Sequence, residues 1–298
     1  MNPRSTVILA LIVVELAIIG EAFVALHPGR PGAAFAQGGE AQTASGGHLV
    51  EGGPHQVFDA GAHPAISVDI GYADLTILTS KTAHIDVSLG AGSSGGFFPA
   101  TVPIAASEDN DTIRIATTKQ QRWSTGDDRM VTVVVPPETE VTVINAGDIK
   151  ASGLRAEASL NSIGTGSITV EDYEGPALHV TASDGRISMR QIVATRVEAT
   201  SSDGRVVGTG LQVRDGTVES DGSVTLGFAA GSDTLVNAQT DDGKVRLSGF
   251  DAAKTGATEH KNDDGDDDSA SQTVRVGAGD GHFDVHSSDG NINLAQEG

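Results

Sequence analysis

The segment "HVTASDGRIS", residues 179–188, identifies the architecture because close copies of it follow along the chain. It returns as "VEATSSDGRVV" at 197–207, and in weaker form as "VESDGSVTL" at 218–226 and "NAQTDDGKVRL" at 237–247. The turn glycine recurs at separations of 19, 19, 19, 18 and 21 residues, at Gly147, Gly166, Gly185, Gly204, Gly222 and Gly243. A nearly constant period of this length indicates an internal structural repeat.

The strands that flank each turn have one apolar face. Two positions after each turn glycine the residue is always β-branched and apolar: Ile149, Ile168, Ile187, Val206, Val224, Val245, and Ile292 after Gly290. Successive side chains of a strand point to opposite faces, so these residues share a face with the apolar residues two positions further on. We expect that face to be buried.

Two architectures fit an Asp-Gly turn between alternating strands. Such a turn commonly closes a β-hairpin, but a hairpin meander has no reason to keep a constant spacing, whereas stacked coils must share one perimeter. We therefore predict an all-β parallel solenoid with coils of about 19 residues. Two strands would face each other across the core, and each would pair with its copy one coil along. The pairs Asp280-Gly281 and Asp289-Gly290, nine residues apart, indicate two corners per coil.

Composition excludes several function classes. The chain has 298 residues, no cysteine and a formal net charge of −21. Disulfides, thiolate catalysis and zinc-thiolate sites are therefore excluded. Because nucleic-acid affinity depends on Lys and Arg that neutralise phosphates, we expect no nucleic-acid partner, and anionic lipid surfaces are disfavoured for the same reason.

The first 27 residues predict a membrane anchor or a signal segment. The run "TVILALIVVELAIIGEAFVAL" is long enough to cross about 30 Å of hydrocarbon as a helix, although Glu15 and Glu21 weaken it. An uncleaved anchor and a signal cleaved near 34–36, "AFA", both remain open. Arg4 on the inside predicts that the chain after residue 27 lies outside the cytoplasm.

The rest of the chain divides into a linker and one folded domain. Residues 28–55 are rich in Gly, Ala and Pro and predict a flexible linker. Residues 56–298 predict the solenoid domain, with less regular coils and a cap before residue 145. Within it, 251–272 predicts a disordered acidic loop.

One strand near the C-terminus carries a candidate metal site. His282, Asp284 and His286 alternate with apolar Phe283 and Val285, so all three are expected on one outer face. Paired histidines on a strand can bind Zn²⁺, Cu²⁺ or Ni²⁺, although an ordinary polar face is the simpler interpretation. No cofactor is predicted.

Other motifs give weaker signals. The aspartates of the acidic loop, between 263 and 268, lack the glycine and glutamate of an EF-hand, and "GSSGG" at 92–96 lacks the helix of a nucleophile elbow. The turn aspartates Asp184, Asp203, Asp221 and Asp242 would stack into a row of carboxylates. Such a row could bind cations or sugars, but Asp before Gly is also ordinary turn chemistry.

The repeated V-x-x-S-D-G-x-V/I-x-L pattern, the apolar N-terminus and the Gly-rich linker together resemble the bacterial adhesin-like family of β-strand-repeat domains of unknown function. The pattern is also similar to the head domains of auto-transporter adhesins. The resemblance covers residues 56–298. It implies a right-handed β-helix outside the cytoplasm, and the family has no known catalytic residues to carry over.

Two functions are therefore expected from different classes. The first is a non-enzymatic, membrane-tethered, adhesin-like solenoid whose polar surface meets a glycan or protein of the cell envelope. The alternative is a carbohydrate-active β-helix enzyme of the polysaccharide lyase or hydrolase type. Its one hint is that Arg186 and Arg205 stand one repeat apart beside Asp184 and Asp203.

Overall fold

The alternating segments of the repeat form β-strands, and the described residues contain no helix. The computed structural model describes residues 55–71, 73–91, 104–109, 112–117, 129–250, 255–258 and 269–297, all in one compact unit. The predicted N-terminal helix, most of the linker, the segment 92–96 and the aspartates between 263 and 268 lie outside these residues. Within the described part of the chain, no helix capable of spanning a membrane is found.

Twenty strands follow one another in chain order. The first ten are β1 (His55–Asp59), β2 (Ala65–Gly71), β3 (Asp74–Thr79), β4 (His84–Ala91), β5 (Ile104–Asp109), β6 (Thr112–Thr117), β7 (Arg129–Val135), β8 (Glu140–Asn145), β9 (Ile149–Ser152) and β10 (Ala158–Ser162). The last ten are β11 (Ile168–Ala182), β12 (Ile187–Ser201), β13 (Val206–Ser220), β14 (Val224–Phe228), β15 (Thr234–Thr240), β16 (Val245–Ser248), β17 (Thr255–Thr258), β18 (Ala270–Val276), β19 (Gly281–Ser287) and β20 (Ile292–Gln296).

The strands pair into two long ladders that share one core. Ladder A runs β5, β6, β2, β8, β10, the second halves of β11, β12 and β13, then β19, β15, β18 and β17. Ladder B runs β1, β4, β7, β3, β9, the first halves of β11, β12 and β13, then β14, β20 and β16. All pairs are parallel except those at the ladder ends, which involve β1, β4, β5, β17 and β18. The parallel solenoid predicted from the period is present.

The predicted interior column exists. Ile168, Ile187 and Val206 lie side by side in ladder B and are fully buried. Their neighbours along the column, Ile149, Val224, Ile292 and Val245, are also buried. Stacking is what removes these side chains from water, because one coil alone cannot bury its apolar face.

The middle coils have three sides, so the prediction of two corners per coil is wrong for them. β11, β12 and β13 bend at Asp172, Gln191 and Gly210, whose φ angles are 55°, 55° and 65°. The short segments after the bend, 173–175, 192–194 and 211–213, pair in parallel as a third side. A residue in the left-handed region turns the chain sharply. The strand segments before and after the bend keep the same register with the neighbouring coils.

The order of coils in the stack differs from their order in the chain, which corrects the prediction that each coil pairs with the next. β19 lies between β13 and β15, and β20 lies between β14 and β16. At the other end, β2 lies between β6 and β8, and β3 between β7 and β9. The first coil of the chain and the last coil therefore each lie one position away from the end of the stack, between two other coils.

Local pairing explains the insertion at the C-terminal end. β18 pairs antiparallel with one edge of β15, so only the other edge is available to β19. The turn between β18 and β19 crosses the start of β15, where Asp233 Oδ1 accepts hydrogen bonds from the Gly279 and Asp280 amides at 2.6 and 3.2 Å.

Part of the predicted acidic loop is strand, because β17 and the start of β18 fall within 251–272.

Buried hydroxyl groups hold the Asp-Gly corners. Ser220 Oγ donates to the Gly204 carbonyl at 2.8 Å and accepts from the Gly222 amide at 3.1 Å. Ser162, Ser201, Ser287 and Thr240 also donate to glycine carbonyls at this corner. The glycines allow close stacking, since a Cβ on Gly185 would collide with the carbonyl of Gly166.

Placing a charge in the interior column should unfold more than one coil. We expect Ile187→Asp to lower the free energy of unfolding by about 3 kcal/mol or more, because an unpaired carboxylate would replace a fully buried side chain between two coils. Circular dichroism melting measures the change. Ser188→Asp is the matched control, since residue 188 lies on the outer side of the same strand and should change stability by less than about 0.5 kcal/mol. Equal melting temperatures for the wild type and Ile187→Asp would contradict the inward assignment.

Hydrogen exchange should follow the order of the stack rather than the order of the chain. β20 is paired on both edges, whereas β16 is paired with β20 alone among the described strands. We expect the peptide covering 292–296 to exchange at least about tenfold more slowly than the one covering 245–248, although it lies near the C-terminus. Mass spectrometry of deuterated peptides measures this. Faster exchange at 292–296 would indicate a coil stacked at the end.

Candidate functional site

The outer side of ladder A is a continuous row of polar side chains, here called the polar face. The central row follows the strand register across neighbouring coils and consists of Thr142, Ser159, His179, Glu198, Thr217, Asp284, Asn237 and Thr273. His179 Nδ1 lies 2.8 Å from Glu198 Oε2. Hydrogen bonds therefore connect side chains of different coils, which restricts their motion.

A second set of hydrogen bonds lies further along the same face. Asn237 Nδ2 donates to Asp284 Oδ1 at 3.2 Å, and Thr273 Oγ1 donates to Asn237 Oδ1 at 3.0 Å. Three strands are thus connected through three side chains. The polar face is an ordered array of donors and acceptors.

Glu198 is the most strongly perturbed carboxylate of the polar face. Burial alone would raise the pKa of Glu198, but the hydrogen bond and charge of His179, followed by those of Arg196, outweigh it and lower that pKa. Arg196 and Glu198 form an ion pair on the same strand. Glu198 therefore holds its negative charge between His179 and Arg196.

The predicted metal ligands do lie on this face but do not converge. His282 Nε2 lies 3.0 Å from Asp284 Oδ2, whereas His286 Nε2 lies 3.7 Å from Asp241 Oδ2 on another coil. Among the described residues, no group of three or more His, Asp or Glu side chains is arranged to hold a metal ion. The metal site at His282, Asp284 and His286 remains a prediction from sequence.

The predicted row of turn aspartates forms at one corner, with an additional member. Asp203 donates its amide to the Ser183 carbonyl, and Asp289 donates to the Asp221 carbonyl, each at 3.0 Å. Because the last coil is inserted, Asp289 stands between Asp221 and Asp242. The sequence offered no basis for that position.

Two adjoining grooves lie along the third side of the coils. The first has a volume of about 550 Å³ and the second about 470 Å³, and both are lined by Glu174 and Val193. Asp184, Asp203, Arg186 and Arg205, the residues of the enzyme alternative, line neither groove. The sequence pattern predicts coils with two sides, and such coils have no third side along which these grooves could lie.

A signal for the third side was nevertheless present. Leu154, Tyr173, Ile192 and Leu211 recur every 19 residues, each directly after a bend, and all four are buried. The Tyr173 hydroxyl lies 3.0 Å from the carbonyl oxygen of Ala156 and also contacts that of Ala177. Burial raises the pKa of Tyr173 far above its ordinary value, so the phenol stays neutral beneath the first groove.

Residues 63–295 match the family model described as Toastrack DUF4097. The chain belongs to this family. The match confirms the resemblance to adhesin-like β-strand-repeat domains of unknown function, and the Toastrack fold is consistent with the all-β solenoid. A search of curated proteins finds no match to the Toastrack chain.

Two solved structures are similar to the Toastrack chain at 10% sequence identity. One is a "putative adhesin" from Bacteroides fragilis, with a TM-score of 0.46, covering 82% of this chain and 96% of its own. The other is a "putative cell adhesion protein" from Clostridium sporogenes, with a TM-score of 0.35, covering 82% and 98% respectively.

The lowered pKa of Glu198 predicts a small loss of stability in acid. A group whose folded pKa is depressed stabilises the fold above its ordinary pKa, and that contribution disappears as pH falls through the lowered value. We expect Glu198→Gln to be less stable than the wild type at about pH 7 by less than about 1 kcal/mol, because the side chain is partly exposed. The difference should vanish near pH 3. Thermal melting at both pH values measures it.

Glu219→Gln, at an exposed glutamate one coil along on ladder A, is the control for the charge change itself. Equal losses for the two variants at neutral pH would show that the contacts of Glu198 with His179 and Arg196 contribute nothing specific.

Proposed function

We propose that this Toastrack protein is a non-enzymatic, adhesin-like solenoid that presents its polar outer surface to a component of the cell envelope. The observation that carries the proposal is the continuous polar face, in which hydrogen bonds join side chains of neighbouring coils. Pre-ordered donors and acceptors lose less conformational entropy when they bind a polar ligand.

The stack is suited to binding over a long surface. A row of equivalent positions repeats at about 4.8 Å from coil to coil, so one ligand can contact several coils at once. Individually weak contacts then add up along the row. Parallel pairing also keeps the backbone polar groups of the coils occupied, which leaves side chains as the binding elements.

We further propose that the solenoid is right-handed and lies outside the cytoplasm, tethered by residues 1–27. Parallel strands joined by crossovers are right-handed in about 98% of cases. The apolar N-terminal run and Arg4 support this location. The acidic charge of −21 supports solubility in that environment.

Binding to envelope material tests the proposal. We expect purified, fluorescently labelled full chain to bind a cell-envelope fraction of the producing organism saturably, with unlabelled chain as competitor. Co-sedimentation measures the bound fraction, and an unrelated acidic protein of similar size controls for non-specific retention. Failure of the chain to bind any envelope fraction above that control would refute the adhesin-like function.

A further inference from the structure

The two grooves of the third side form one continuous trough across several coils. Arg155, Glu174, Val193 and Gln212 occupy the same position in successive coils, 19 residues apart. All four line the trough, and Glu174 and Val193 line both grooves. The long axis of the trough therefore runs along the stack, perpendicular to the strands.

Strained residues border this trough. Asp172 and Gln191 are the two residues other than glycine with positive φ in the described part of the chain, and both line the first groove. The same corner is glycine in the coils on either side, at Gly153 and Gly210. Glycine would fit the left-handed conformation without strain, so the two side chains are kept at a cost in stability. Strain of this kind clusters at sites of function.

The geometry disfavours an added β-strand as the ligand. Residues 173–175, 192–194 and 211–213 already pair with one another across the coils, so a peptide cannot hydrogen-bond to them as a further strand. A ligand must instead lie across the coils and contact side chains. Coils repeat at about 4.8 Å, close to the length of one pyranose unit, whereas an extended peptide repeats its side chains at about 6.6 Å on each face.

The charges of the trough indicate an uncharged ligand. Its basic residues are Lys81, Arg155 and Arg214, and its acidic residues are Asp172, Glu174 and Asp233. The trough is thus balanced although the whole chain has a net charge of −21. Arg155 Nε lies 3.6 Å from Glu174 Oε2, so part of this charge is already paired within the protein.

We propose that the trough binds an uncharged polysaccharide, with successive sugar units lying over successive coils. Carboxylate, amide and guanidinium groups hydrogen-bond the sugar hydroxyls, and Val193, 40% exposed at the middle of the trough, contacts a ring face. The inference rests on the proposed adhesin-like function and adds to the polar face a second binding surface, for which it names the class of ligand.

The test uses the envelope fraction with periodate or protease treatment, two salt concentrations, three variants at the trough and one control variant of the full chain. Periodate cleaves the vicinal diols of sugars, and protease removes envelope proteins. We expect binding to survive protease and, where the sugar units carry vicinal diols, to be lost after periodate. Binding should change little between low salt and about 0.5 M NaCl, because screening affects charged partners.

The variants distinguish the contribution of the trough's side chains to binding from the effect of its strained backbone on stability. Gln191→Ala and Gln191→Gly both remove the amide, and Asp172→Gly removes the carboxylate, so each should weaken envelope binding by about tenfold, the effect of one or two lost hydrogen bonds. The two glycine variants should keep or raise the melting temperature, since glycine relieves the strained φ. Thr225→Ala, an exposed position on ladder B outside both grooves, is the matched control and should bind like the wild type.

The outcomes distinguish this inference from the proposed function. Wild-type affinity in the glycine variants, or binding that protease removes and periodate does not, would overturn the polysaccharide trough while leaving an adhesin-like role intact. Binding that high salt removes would show a charged ligand and would overturn the inference as stated. A wild type that binds no envelope fraction would overturn both.

Discussion

Parallel backbone pairing holds the solenoid together, and it requires neighbouring coils to have equal perimeters. A coil buries only a few side chains of small and medium size, and it gains a core when neighbours cover both its faces. The requirement for equal perimeter explains the 19-residue period of the middle coils. It also explains the stacked glycines, since a Cβ on Gly185 would force the Asp-Gly corners apart.

The same constraint makes the ends of the stack a problem, because an uncovered coil exposes unpaired backbone and apolar side chains. Antiparallel strands cover both ladders at one end, through β4 and β5, and ladder A at the other end, through β17 and β18. A strand has two edges, and the antiparallel strand that covers the end occupies one of them. The next coil must then pair with the other edge, so the order of coils in the stack differs from their order in the chain. The inserted coils therefore follow from the way the ends are closed.

On the outer surface, the residues of the repeat differ from coil to coil, while the buried core stays apolar. Inward positions keep apolar residues, while outward positions vary and create the polar face around Glu198. At the bends, Asp172 and Gln191 replace the glycine found in neighbouring coils and border the trough. Stability and surface chemistry are thus specified at different positions of the same strand.

Periodicity alone determined the interior columns, the all-β class and the stacked aspartates of the corner, because alternation and turn spacing are local properties of the chain. The third side was hidden because its bends at Asp172 and Gln191 lack the glycine that marks a turn. The tertiary structure alone decided which coils touch. Val224 pairs with Ile292, but Val245 would offer it the same apolar chemistry, and backbone hydrogen bonds do not distinguish one repeat from another. Which coils stack on each other depends on which strand edges are free to pair and on the path of the connecting segments. The sequence pattern of a single repeat contains neither kind of information.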